Sequence, residues 1–285
     1  MQQIASHVYI ETAFPGVTLG AINWAHGLIL IDAPLRSEDA RSWRSALLNL
    51  GGGVDRMLIN LDPHYDRTLG VRALECMVLG HEKMTQTYRS RSASLKSQGS
   101  ETGAEWELQN NLTGIRWAPP EITFTDTMQI NWDGEPLVLT YRPGPAPGAI
   151  WAELPVSKVI FVGDAVLAHQ PPFLAQANLP VWLETLGLLL EPCYQDHLII
   201  SGRGGLISRD DVQFQLTWLE NLHHEMEELA GHKVLPEQTE KLTPALLKTF
   251  SPPAELESIY RQRLRWGLHQ YYLRHYRPSN EELEE

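Results

Sequence analysis

Short runs of β-branched and aliphatic residues recur before about residue 165: Val8 to Thr12, Gly27 to Asp32, Arg56 to Leu61, Leu137 to Tyr141 and Val159 to Val162. Each is too short for a stable helix and rich in residues that fit a pleated surface, so the pattern predicts strands. Helical stretches stand between them. In Ser37 to Leu50, Ser37 precedes an acidic first turn, Trp43, Leu47 and Leu50 recur at helical spacing, and Gly51-Gly52-Gly53 supplies the stop. Thr68 to Met77 reads as a second helix opening directly after a polar loop. The alternation predicts an α/β chain. Thr85 to Gly103 is polar and reads as an exposed helix or mobile insertion to which no chemistry is assigned. Beyond Gly205 the pattern turns helical, with segments at Asp210 to Leu229, Pro236 to Thr249 and Pro253 to Tyr276, and the acidic end from Glu281 to Glu285 reads as a solvated tail.

The 285 residues are enough to bury a substantial core, roughly 75% of the unfolded surface at this size, so stability requires neither disulfide nor metal. Lys and Arg total 23 against 35 Asp and Glu, a formal charge of −12 that argues against nucleic acid as a partner. Cys76 and Cys193 form no CxxC pair and read as two packed thiols in a reducing compartment, which points to the cytoplasm. Met1 to Gly20 lacks the basic start, apolar stretch and small-residue cleavage site of a secretory signal. Apolar runs such as Leu186 to Leu190 fall far short of the roughly 18 residues a membrane span needs, so a soluble protein with no membrane partner is expected.

The most informative stretch is Leu61-Asp62-Pro63-His64-Tyr65-Asp66-Arg67, an apolar strand running into polar residues ahead of a helical segment. It resembles the T-H-x-H-x-D-H signature of the metallo-β-lactamase superfamily, with His64 and Asp66 matching and Asp62 and Arg67 replacing histidines. Read without that likeness, the same stretch is a polar turn with Asp66 capping the next helix. Further landmarks occur in the family's order. Leu28-Ile29-Leu30-Ile31-Asp32 looks like its early strand ending in Asp, and Val78-Leu79-Gly80-His81-Glu82 like the strand ending in a His-containing turn. Arg142-Pro143-Gly144-Pro145-Ala146-Pro147-Gly148 is similar to its P-G-H-T-x-G turn, with Pro145 where the third histidine belongs. Val159 to Asp164 matches the strand that delivers the metal-bridging aspartate, and Ser201-Gly202-Arg203-Gly204 matches a turn whose histidine is here Arg203. The resemblance implies an αββα sandwich over residues 1–209, with the helices of 210–285 packed on the same domain as a C-terminal extension.

The resemblance also implies one zinc on the positions of Asp62, His64 and Pro145, a second on Asp66, Arg67 and Arg203, and Asp164 shared between them. Proline offers no donor, and a guanidinium stays protonated and repels a cation, so no dinuclear zinc and no other cofactor is expected. The pocket residues would be Asp62, His64, Arg67, Asp164 and Arg203, with Asp66 as the one catalytic candidate. Arg67 and Arg203 could hold the three aspartates in a guanidinium–carboxylate network, the competing arrangement being ordinary surface pairs. The alternative site is a single divalent metal on Asp62, His64, Asp66 and Asp164. His169 could add a ligand or be a polar loop residue. His81 is expected to order a turn, and the adjacent His223 and His224 diverge on a helix.

The loop from His169 to Trp182 could line a cleft or simply cover the core. The aromatic-rich helix through Ile259, Leu264, Trp266, Leu268, Tyr271 and Tyr272 is expected to dock on the core, with homodimerisation the other use open to it. Taken together, the residues point to a binding protein for a small polar or anionic molecule, with a metal-dependent hydrolase using an altered mononuclear site as the alternative.

Overall fold

The computed structural model describes residues 1–53, 55–92, 94–95, 102–109, 112, 114–132 and 134–277. The expected tail from Glu281 to Glu285, and residues 96–101 of the polar insertion, lie outside them. The described strands form two sheets. In the first, β1 (Gln2–Ala5), β2 (Val8–Glu11), β3 (Leu19–Asn23), β4 (Gly27–Ile31), β5 (Asp55–Ile59), β6 (Met77–His81) and β7 (Ile122–Phe124) lie side by side in sequence order. Pairing is antiparallel from β1 to β4 and parallel from β4 to β7. The second sheet runs β13 (Gly205–Ile207), β12 (Leu198–Ser201), β11 (Val159–Gly163), β10 (Ile150–Leu154), β9 (Leu137–Tyr141) and β8 (Thr127–Ile130), with β11 and β12 parallel.

The central strands are apolar at every position because both of their faces are covered, and their period of two divides the side chains between two cores. Ile29 and Ile31 of β4 meet Phe161 of β11, Leu139 and Ile200 between the sheets. Leu28 and Leu30 point the other way, onto Trp43 and Leu47 of α1 (Ser37–Leu47). Ile160 and Val162 of β11 face outward onto α3 (Leu179–Leu189), α4 (Arg209–Gly231) and α6 (Ala254–Tyr276). That outer core holds Trp182, Leu186, Leu219, Leu264 and Leu268 together, so the C-terminal helices share the apolar layer of the second sheet. The result is the four-layered αββα arrangement. The sheets pack tightly at Gly20, where a Cβ would lie 2.6 Å from the Phe161 ring. The remaining helices are α2 (Glu82–Ser90), which His81 caps by accepting the Lys83 N–H on Nδ1, and the short α5 (Thr243–Lys248).

One expected helix is absent. Thr68 to Met77 follows a 3-10 turn at Tyr65–Arg67 and itself forms only another at Val71–Leu74, and Met77 already belongs to β6. The cause lies in its first turn: the Arg67 carbonyl accepts from the Ala33 N–H at 3.1 Å and from Asn60 Nδ2 at 3.1 Å, and Glu75 closes the segment at φ +53°. A carbonyl committed to the neighbouring strands cannot serve an α-helical turn. The expected helix from Pro236 to Thr249 likewise divides, into a 3-10 stretch at Pro236–Leu242 and α5. Of the two cysteines expected to be packed, Cys76 is half-buried and Cys193 is exposed, on the 3-10 turn Pro192–Tyr194. No helix among the described residues is long and apolar enough to cross a membrane.

Candidate functional site

The site lies at one end of the strands, where each contributing segment leaves its sheet. Asp32 follows β4, Asp62 and His64 follow β5, the next 3-10 turn presents Asp66 and Arg67, Asp164 follows β11, and Arg203 follows β12. All six residues singled out by the sequence converge here. Asp62, Asp66, Arg67, Asp164 and Arg203 are each no more than 2% exposed, and His64 is partly open.

Arg67 is at the centre. Its Nη1 donates to Asp32 Oδ2 at 2.9 Å, its Nη2 to Asp164 Oδ1, and its Nε lies 3.2 Å from Asp62 Oδ1. Arg203 forms the second centre, with Nη2 2.9 Å from Asp66 Oδ2, Nη1 donating to Glu105 Oε2 at 2.6 Å, and Nε 3.2 Å from both Asp164 oxygens. His64 Nδ1 sits 2.9 Å from Asp62 Oδ1 and 3.2 Å from Asp164 Oδ2. The forked guanidinium geometry suits such sharing, since each planar group reaches several carboxylates without rearranging.

Electrostatics divide the carboxylates. Burial pushes Asp32 up to about 7 in spite of Arg67, with the Asp62 charge adding to the rise. Asp66 is raised to about 6 by burial, Arg203 opposing and the Glu105 charge assisting. Burial acts on Asp62 in the same sense, but Arg67 and His64 outweigh it and hold its pKa well below the usual carboxylate range. Glu105 falls to about 2 because Arg263 and Arg203 overcome its burial. Both buried arginines are raised above their ordinary value, the carboxylates around them outweighing desolvation.

Three contributors escape a reading of the sequence. Glu105 lies just after the polar insertion, on the 3-10 turn Glu105–Leu108, yet pairs with both Arg203 and Arg263. Arg263, 1% exposed on α6, donates to Glu105 Oε1 at 2.9 Å, to the Gly103 carbonyl at 2.8 Å and to the Pro171 carbonyl at 3.0 Å. Asp32 is visible only as the end of an early strand. Phe173 completes the cluster, its ring centroid 4.5 Å from the Arg203 guanidinium, 4.1 Å from that of Arg263 and 5.2 Å from the His64 ring. The loop from His169 to Trp182 therefore does two things: Phe173 faces the site while Trp182 is wholly buried in the outer core. His169 is exposed, His81 serves as a helix cap, and His224 pairs with Glu228 at 3.5 Å on the outside of α4.

The family's pair of zinc ions does not fit these residues. Both oxygens of Asp164, the aspartate that would be shared, face guanidinium nitrogens, and Pro145 is buried without a donor atom. A smaller set remains: one ligand atom each from Asp62, His64 and Asp164 lie within 4.8 Å of one another, and Asp62 Oδ2 is buried with no hydrogen-bond partner. Asp66 stands outside that set, its Oδ1 accepting from the Trp106 N–H at 2.8 Å.

Beside the cluster opens a cavity of about 640 Å³ lined by His64, Asp66, Phe173 and Arg263 and extending past Tyr65, Trp106 and Trp117 to α6. A sequence profile described as the Metallo-beta-lactamase superfamily matches residues 64–253. The chain belongs to the metallo-beta-lactamase superfamily. Solved structures share its fold at low identity. A metallo-beta-lactamase from Pontibacter korlensis is 19% identical with a TM-score of 0.61, the match covering 77% of this chain and 98% of that one. A metallo-beta-lactamase family protein from Thermus thermophilus is 20% identical with a TM-score of 0.60, covering 94% and 93%. The stereoselective inverting sec-alkylsulfatase Pisa1 from Pseudomonas sp. is 15% identical with a TM-score of 0.65, covering 96% of this chain but 49% of the sulfatase. Comparison with curated protein sequences finds no match. Superfamily membership fixes the scaffold and leaves the chemistry to the individual residues.

Proposed function

We propose that this chain is a metallo-beta-lactamase-fold protein without dinuclear zinc hydrolysis, in which a guanidinium–carboxylate cluster stands where relatives hold metal and the adjoining cavity receives a small polar or anionic molecule. The observation that carries this reading is the pairing of Arg67 and Arg203 with Asp164, which sets two fixed cations where a cation-binding site needs free oxygens. A cytoplasmic protein acting on a small molecule, and not on nucleic acid, agrees with the charge of −12 and the unpaired cysteines.

Elemental analysis of protein purified without chelator tests the metal side of this proposal. No stoichiometric zinc is expected in wild type or in His64→Ala. One or two zinc per chain, lost in His64→Ala, would overturn it.

The second reading, a hydrolase with one divalent ion, rests on the Asp62, His64 and Asp164 grouping and on the unpartnered Asp62 Oδ2. Those three residues would hold the ion, which would supply a bound water of lowered pKa. The same elemental analysis separates the two readings, since this one requires a single metal per chain that depends on His64.

A further inference from the structure

The cavity has a second cationic region, away from the cluster, at Arg91. Arg91, directly after α2, lies beneath three aromatic rings, its guanidinium carbon 4.3 Å from the Tyr65 centroid, 4.8 Å from Trp117 and 4.9 Å from Tyr88. Its Nη2 donates to the Pro63 carbonyl at 2.6 Å, while Nη1 is buried with no hydrogen-bond partner. No carboxylate pairs with Arg91 among the described residues. Arg67, Arg203 and Arg263, at the cluster end of the cavity, are by contrast all matched to carboxylates. Stacking on rings stabilises a guanidinium along its faces and leaves its N–H edge free for an in-plane acceptor.

The rest of the lining agrees in sign. Arg274 of α6 also lines the cavity and, among the described residues, donates to the carbonyls of Ala175 and Ala177. Asp66 is the sole carboxylate among the described lining residues, and it already faces Arg203. Among the described residues, a chain of formal charge −12 thus presents a cavity whose charges without an opposite partner are positive. Between them the walls are aromatic, with Trp106, Trp117 and Trp266 among the lining. Tyr65 packs on Trp106 at 5.1 Å and on Trp117 at 4.9 Å, so the ring wall is preformed.

We infer that the cavity binds an amphipathic oxyanion, an aromatic or apolar body whose carboxylate, sulfate or phosphate group seats beside the Arg91 guanidinium with Arg274 at the rim. This rests on the reading of the cavity as a small-molecule site and goes further in naming the anchor and the ligand class. A planar oxyanion in the cavity would bring the negative charge that Arg91 lacks among the described residues, while the body lies against the tryptophans.

The test is a titration followed by tryptophan fluorescence and checked by calorimetry, using naphthoate, naphthalenesulfonate, naphthyl phosphate and the neutral naphthamide. At least one anion should bind about tenfold or more tightly than naphthamide, and the ranking among the anions identifies the headgroup. Arg91→Gln should abolish that preference while leaving naphthamide binding unchanged, and Arg91→Lys should recover part of it. Arg274→Gln should weaken the anions by a smaller factor and guards against Arg91→Gln failing to fold. Equal binding of naphthamide and all three anions to wild type would overturn the inference. So would anion binding that survives Arg91→Gln but is lost in His64→Ala, since the anion would then sit on the cluster. The metal content of the same preparations reports separately on the absence of dinuclear zinc.

Discussion

The Arg67 guanidinium ends against Gly202, so that a Cβ at that glycine would come within 2.7 Å of both Nη1 and Nη2. Gly202 also holds the turn to its neighbours, donating its N–H to the Gly163 carbonyl and accepting from the Thr18 N–H, both at 2.7 Å. The turn after β12 and the arginine after β5 therefore determine each other's position. Gly202→Ala should displace Arg67 or the turn and destabilise the protein by about 1 to 3 kcal/mol, the range for overpacking a filled interior. Urea denaturation of the two proteins measures it, and an unchanged midpoint would contradict the close packing.

Removing the second guanidinium should have a pH-dependent cost. Glu105 has a folded pKa of about 2 against an ordinary 4.5, so its contribution is fully present above the unfolded value and is lost as pH falls toward 2. Asp66 behaves oppositely: its folded pKa of about 6 exceeds 3.8, so its ionisation costs stability as pH rises through that interval. Arg203→Ala forfeits the Glu105 gain and deepens the Asp66 loss. The deficit should be about 3 kcal/mol near neutral pH and clearly smaller near pH 4. Thermal melts across that range decide it; equal stabilities near neutrality would remove the case for Arg203 as an electrostatic keystone.

Asp32 combines a left-handed backbone, φ +58°, with a carboxylate that accepts from the Leu61 N–H at 3.0 Å and from Arg67. Asn tolerates that backbone and keeps an acceptor oxygen; Ala does neither well. Asp32→Ala should be less stable than Asp32→Asn by about 2 kcal/mol. Since burial holds the Asp32 carboxyl up at about 7, its protonated form favours folding at acid pH, and this contribution is lost as pH rises through 7. Asp32→Asn should flatten that part of the stability profile. Chemical denaturation at several pH values tests both statements.

Returning one histidine should not recreate a zinc centre. In Arg203→His the buried Pro145 still offers no donor and Arg67 still engages Asp62 and Asp164. Zinc titration of Arg203→His should show no tight stoichiometric binding, and tight binding would mean that Arg67 yields its carboxylates to a metal.

Much of the scaffold is legible in particular residues. The all-apolar β4 and β11 announce strands covered on both faces, and the polar residues just beyond them carry the site. Asp62, His64, Asp66, Arg67, Asp164 and Arg203 are readable because each falls at a strand exit, where local order along the chain translates directly into position. Thr68 to Met77 misleads because its helical pattern is overruled by a carbonyl taken across the fold by Ala33 and Asn60. Glu105 is invisible because it reaches Arg203, 98 positions away, from a segment with no periodic pattern. Arg263 did leave a trace. It shares the buried stripe of Ile259, Tyr260, Leu264, Gly267 and Leu268, where a charge at helical spacing must find a partner.

Arg67 and Asp164 join loops that leave different sheets. In that tie the cation is part of the polypeptide, so a chelator has nothing to withdraw from it. The chain carries its own fastener from the moment it is synthesised, and scarcity of zinc in its surroundings leaves this bond untouched.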